Sequence, residues 1–159
     1  MKRNVTKTGI FILLFAILAG ANMESFAQPG PPPGQVMKVK SRRVIHRTHV
    51  VLKSAKTALQ AHKNYKGDFA KAVAHQKRAR TLHLQGKFRK SIAHSRRARQ
   101  LGFKVIRDNE GVVKPAWNFQ PNENVEGLPG DEELDGDLPD TGTDEEALGE
   151  DIETVSENE

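Results

Sequence analysis

The chain has no cysteine and six histidines, His46, His49, His62, His75, His83 and His94. An imidazole can bind a metal, pass a proton, or change its charge near neutral pH. On a helix, His46 and His49 stand three apart and share a face, within reach of one ion. The residues around all six are crowded with Lys and Arg, which disfavour a divalent cation, and no Asp or Glu is expected nearby to complete or orient a ligand set. The expected role is therefore packing at helix interfaces, with no metal site and no other cofactor. A charge response to acid follows as a secondary expectation.

The second candidate chemistry is electrostatic. Of 25 Lys and Arg, three (Lys2, Arg3 and Lys7) precede Gln28, and the remaining 22 lie between Gln28 and Pro121 against three acids, Asp68, Asp108 and Glu110. From Asn122 to Glu159 there are 16 acids and no base. Such separation marks a polyanion-binding body, an acidic interaction tail, or a body and tail that screen one another. Lys71, Lys77, Arg78, Lys90, Arg96 and Arg97 are the candidate anion-binding residues. A solvated helix face normally mixes both signs, and this one does not. No aromatic residue interleaves with these cations on the exposed faces, so contact with a polymer backbone is expected rather than base-stacking recognition or sequence-specific nucleic-acid binding.

Catalysis lacks its usual residues. No paired carboxylates, nucleophile with its base, or phosphate-cradling glycine loop occurs in the basic region, and the expectation is a protein that is not an enzyme. Asp131-Glu132-Glu133-Leu134-Asp135-Gly136-Asp137 superficially resembles the start of a calcium loop. Pro139 and the missing ligand order beyond Asp137 break the spacing that such a loop needs.

The elements that must position the cations are legible in an internal repeat. Gly67-Asp68-Phe69-Ala70-Lys71-Ala72-Val73-Ala74-His75-Gln76-Lys77-Arg78-Ala79-Arg80-Thr81-Leu82 returns nineteen residues later as Gly86-Lys87-Phe88-Arg89-Lys90-Ser91-Ile92-Ala93-His94-Ser95-Arg96-Arg97-Ala98-Arg99-Gln100-Leu101. At helical period Phe69, Ala72, Val73, Gln76 and Ala79 share one side, as do Phe88, Ser91, Ile92, Ser95 and Ala98. Both copies therefore predict amphipathic helices, Asp68 to Leu84 and Lys87 to about Leu101, after which either a short hairpin follows or the third helix runs on through Gly102 to about Arg107. The short connection through Gln85 and Gly86 folds them into an antiparallel hairpin, which brings His75 and His94 to nearly the same height. The cations Lys71/Lys90, Lys77/Arg96 and Arg78/Arg97 fall away from the apolar stripe, while Arg80 and Arg99 border it. Upstream, Val44, Thr48, Val51, Leu52, Ala55, Ala58 and Leu59 recur at three and four and predict a first helix over Ser41 to Asn64. Gly67 is expected to end that helix in the left-handed conformation, and Asp68 to cap the next.

Gly67, Phe69, Ala72, Val73 and Ala79, answered by Gly86, Phe88, Ile92 and Ala98, resemble the second helix of a tetratricopeptide repeat. The resemblance covers about Leu52 to Leu101. It implies helical hairpins packed through small residues, and partner binding through helical grooves. The period differs from the family's, so one helix would serve two successive hairpins, and Ser91 stands where the family places alanine.

The flanks complete the expected organisation. Residues 1–27 read as a secretory signal: Lys2, Arg3 and Lys7, then Gly9 to Ala21 without charge, then small residues placing a cut between Ala27 and Gln28, with Ala21 as an alternative. Spanning a bilayer takes about 20 apolar residues, more than this stretch supplies. Residues 28–40, rich in Pro and Gly, predict an extended linker. A basic helical domain follows over 41–107, containing the repeats at 67–82 and 86–101. The aromatic segment 108–121, with the single tryptophan, Trp117, predicts a strap over the helices. Residues 122–159, acidic and without sustained period, predict a disordered tail.

The fold expected is thus all-α: a small three-helix antiparallel bundle resembling tetratricopeptide hairpins. The function expected is an exported, periplasmic or extracellular, non-catalytic binding protein that contacts an anionic polymer or envelope surface, its charge screened by its own tail. The alternative is a protein-interaction adaptor or scaffold of the cell envelope, with a protein partner bound by the helical groove or the tail.

Overall fold

The computed structural model describes residues 32–152. The expected signal segment and its cut at Ala27 and Gln28 lie outside the described residues, as do the last seven residues of the tail. Three long helices form the body: α1 over Pro33–His62, α2 over Asp68–Leu84 and α3 over Phe88–Asp108. Two 3-10 turns, Pro115–Trp117 and Pro121–Glu123, and two short helices, α4 over Asp131–Gly136 and α5 over Asp144–Leu148, follow. The described residues are all-helical, without strands.

The side-chain bonds give the topology. His75 meets His94, Gln76 meets Ser95, and Ser91 bonds the Ala79 carbonyl, so α2 and α3 run antiparallel. Ser41 meets Ser91 and Thr48 meets Ser95, so α1 runs parallel to α3 and antiparallel to α2. The seam between the helices is built from small residues and satisfied hydroxyls. Ser41 and Ser91 share a hydrogen bond of 2.8 Å, and Ser91 donates to the Ala79 carbonyl at 2.7 Å. Gln76 donates to the Ile45 carbonyl at 2.9 Å. Small side chains let the backbones approach, and each buried polar atom then needs a partner across the gap. The helices come close at Gly102, where an added Cβ would lie 3.0 Å from Leu52 Cδ2 and 3.1 Å from Val51 Cγ1. The main apolar cluster, Val51, Ala55, Leu59, Phe69, Val73, Phe103, Val105 and Ile106 among others, sits at the end of the bundle where α1 and α3 terminate. Trp117 and Phe119 pack against it from the segment after α3.

Several expected boundaries move, each for a local reason. The first helix starts at Pro33 instead of Ser41, because a proline in the first helical turn loses no intrahelical bond and brings φ preset. The expected linker over residues 28–40 is therefore helical from Pro33 onward. The left-handed residue that ends α1 is Lys63, with φ 55°. Gly67, with φ 79°, instead precedes α2. Asp68 makes no capping bond and pairs with Lys104 at 2.7 Å. The third helix takes the longer of its two expected courses, through Gly102 to Asp108, so the segment expected as a strap from 108 begins as the helix ends.

The largest correction concerns the acidic tail. Expected to be disordered from Asn122 onward, it is ordered to residue 152 and packed on the body. Leu134 and Ala147, which stand too far apart for any helical period, are each 4% exposed and anchor α4 and α5.

Candidate functional site

The candidate cations on α2 and α3 meet the carboxylates of the acidic segment. Arg97 donates from Nε and Nη2 to both oxygens of Asp135, at 3.0 and 2.8 Å, and from Nη1 to Asp131 at 2.7 Å. Arg78 donates from Nε and Nη2 to the Asp137 carboxylate at 3.0–3.1 Å. Two-pronged guanidinium–carboxylate bonds of this kind fix orientation as well as charge. Lys77 pairs with Glu150 at 2.6 Å. Arg96 donates to the Asn124 side chain at 3.2 Å and to the Glu123 carbonyl at 3.3 Å, its guanidinium stacked 4.8 Å from the Phe119 ring centroid. Lys71 and Lys90 remain exposed. Four of the six predicted residues are thus drawn together under one cover, three of them by carboxylates; Lys90 borders its edge beside His94 and Asp137, and Lys71 is exposed.

Electrostatics follow from these contacts. The hydrogen bond to Asp135 raises the Arg97 pKa, and the same bond holds the Asp135 carboxyl below its ordinary value. Burial pushes the Asp137 carboxyl up, but its hydrogen bond to Arg78, the Arg78 charge and the nearby His94 outweigh that and lower it. The acidic segment is therefore held in its charged form against the body.

Three anchors pin this cover, and of these only the meeting of His75 with His94 is legible in the sequence. Arg99, a residue that borders the apolar stripe, is fully buried and donates to both oxygens of Glu123, 1% exposed, at 2.9–3.2 Å. Its remaining donors go to Thr48 Oγ1 at 3.1 Å and the Val44 carbonyl at 3.2 Å. Arg47 reaches the same carboxylate at 2.7 Å, and donates to the Ala116 and Asn118 carbonyls. The second anchor is Asp144, whose oxygens accept from the backbone N–H groups of Lys66, Gly67 and Ala70 at 2.9, 2.7 and 2.9 Å. It does for α2 what Asp68 does not: a carboxylate from far along the chain accepts one open donor of the first turn, Ala70, and two from the residues leading into it.

The third anchor is the histidine pair. His75 and His94 are buried, their Nδ1 atoms 3.0 Å apart. Outward, His75 Nε2 lies 3.0 Å from Asp135 and His94 Nε2 lies 3.2 Å from Asp137. Burial lowers both imidazoles, His75 to about 4, against the opposing pull of the two carboxylates. His83 sits buried against Ser41, 2.9 Å from its hydroxyl. His46 is exposed, while His49, partly buried, is lowered by burial and then by Lys53. Among the described residues no three His, Asp or Glu side chains converge as a metal-ligand set. No described helix is long and apolar enough to cross a membrane.

The equal repeat positions of His75 and His94 were a usable signal for their meeting. Nothing local indicated that Asp135 and Asp137 would close over them. Comparison with protein-family models, curated proteins and solved structures gave no match.

Proposed function

We propose that this chain is an exported, non-catalytic binding protein whose basic helical face engages anionic polymers or membrane surfaces, and whose acidic segment occupies that face as an internal counter-ion. Lys71, Lys77, Arg78, Lys90, Arg96 and Arg97 form the face. The observation that carries this reading is the seating of Asp131, Asp135, Asp137 and Glu150 on Arg97, Arg78 and Lys77. A surface that binds a string of carboxylates through paired guanidinium bonds has the chemistry to bind the sulfates or phosphates of a polymer, with release of condensed counter-ions. Export rests on the signal-like residues 1–27, which direct the charge toward polyanions outside the cytosol.

The test compares the full chain with a variant whose cover is neutralised but keeps its hydrogen-bonding shape: Asp131→Asn, Asp135→Asn, Asp137→Asn and Glu150→Gln. Truncation after Pro121 is unsuitable, because it strips Glu123 from the buried Arg99. On a heparin column the variant should elute at clearly higher salt than the parent. If neither is retained at low salt, the polyanion reading is lost.

The adaptor reading has one observation of its own. The first two turns of α1 leave Val36 and Val39 45% and 43% exposed. Capture of a protein partner that is lost with Val36→Ser and Val39→Ser, and kept in the neutralised-cover variant, would favour it.

A further inference from the structure

The His75–His94 pair contains four ring nitrogens and makes three contacts: Nδ1 with Nδ1, and each Nε2 with a carboxylate. An ionised carboxylate only accepts, so each Nε2 must carry a proton for its contact to be a hydrogen bond, and the central contact needs one proton between two nitrogens. Two neutral imidazoles supply two protons for these three contacts. One added proton satisfies all three. A fourth sets N–H against N–H across 3.0 Å between side chains that are 0% and 1% exposed. The closed arrangement therefore holds at most one extra proton, whereas a pair freed from the acidic segment and opened to water can take two.

We propose that His75 and His94 form an acid-opened clasp, which at neutral pH holds Asp131–Asp137 over the basic face and on acidification lets it go. The consequence for polyanion binding rests on the function proposed above; the opening does not. The charged groups facing the pair pull in both directions, and burial decides the net effect. From α3, Arg97 opposes a charge on His75, and Arg78 on α2 and Lys90 on α3 oppose one on His94; Asp135 and Asp137 favour it, and burial opposes both. Because Asp135 and Asp137 stay ionised below the usual carboxylate range, the imidazoles are the groups of the clasp that change between about pH 6.5 and 4. Linkage then favours the open form by about tenfold per pH unit for each proton it holds in excess.

The absence of cysteine from the chain makes the test clean. Thr81→Cys on α2 and Glu132→Cys on α4, both exposed, carry spin labels in the full chain, and the distance between them is measured from pH 7.5 to 4.5. A narrow distribution that becomes long and broad as pH falls is expected. In a His75→Gln, His94→Gln background, whose amides bond but do not titrate, the narrow distribution should persist to pH 4.5. An unchanged distance in the parent, or opening of the Gln pair at the parent's midpoint, overturns the clasp. Should the Gln pair fail to close at pH 7.5, nitrogen NMR of the parent decides. Proton uptake by His75 and His94 coinciding with opening supports the clasp, and titration of both without any change in distance overturns it. Heparin retention of the same samples separates the two readings, since a chain that opens in acid without gaining retention keeps the clasp and loses the polyanion face.

Discussion

Glu123 lies against Arg99 in the interior of the bundle, with both side chains within 1% of complete burial. The pair ties the segment after α3 to α1 and α3, since Arg99 also bonds Thr48 and the Val44 carbonyl. Burial lowers the Arg99 pKa, and the Glu123 carboxylate counters that effect. Removing one partner leaves the other charged and out of water. Glu123→Ala should therefore destabilise the chain by about 3–5 kcal/mol. The double variant Arg99→Met, Glu123→Leu, which removes both charges and keeps volume, should recover most of that loss in urea unfolding.

Asp144 gives a prediction of a different size. Its carboxylate replaces a local cap for α2, so Asp144→Ala should cost about 1–2 kcal/mol, as loss of a helix cap does. Asp144→Asn keeps an acceptor and should cost less. The diagnostic is local: amide exchange at Lys66, Gly67 and Ala70 should accelerate in Asp144→Ala before exchange in the middle of α3 changes. A uniform acceleration throughout the bundle would mean that α5 is not an independent anchor.

These anchors show where sequence reading reaches its limit. The all-helical class, the α2 boundaries and the antiparallel meeting of His75 with His94 follow from the repeat, because they depend on period and connection length. The order of the acidic segment does not. Leu134 and Ala147 look isolated because their partners are not their neighbours in sequence, and the charge of Asp135 is matched on α3, not within its own helix. Composition reads a run of acids as self-repelling. It cannot see a complementary surface that folding places opposite. The same blindness hid Arg99: an arginine at the border of an apolar stripe reads as solvated until Glu123 is found beneath it.

The cover should also respond to salt. Most contacts that hold α4 are exposed or half-buried: Arg78 and Asp137 are 36% and 37% exposed, and Asp131 is 55% exposed. At 1 M salt the screening length falls to about 3 Å, and pairs of this kind lose most of their attraction. Raising salt from 0.1 to 1 M should broaden the Thr81–Glu132 label distance at pH 7.5 while helicity falls little, because the buried Arg99–Glu123 pair and the apolar seam are screened far less. Loss of helicity in step with the label distance would mean that the cover and the bundle unfold as one unit.

Acid should destabilise the folded chain in two separable steps. His75 falls from the ordinary 6.5 to about 4 through burial, and His94 is lowered for the same reason. Above pH 6.5 both are neutral whether folded or unfolded and contribute no pH dependence. As pH falls below 6.5 the unfolded chain takes up a proton on each imidazole while the closed pair holds at most one between them, so stability falls between about pH 6.5 and 4. Asp135 and Asp137, lowered below 3.8, add a second loss that begins only near and below pH 4. The melting temperature measured at pH 7.5, 5.5 and 4.5 should therefore drop before the carboxylates titrate. In the His75→Gln, His94→Gln chain the drop between pH 6.5 and 4.5 should shrink, leaving the part contributed by His49, whose pKa burial also lowers. The later drop should remain, because Arg78 and Arg97 still hold the two carboxylates in their charged form.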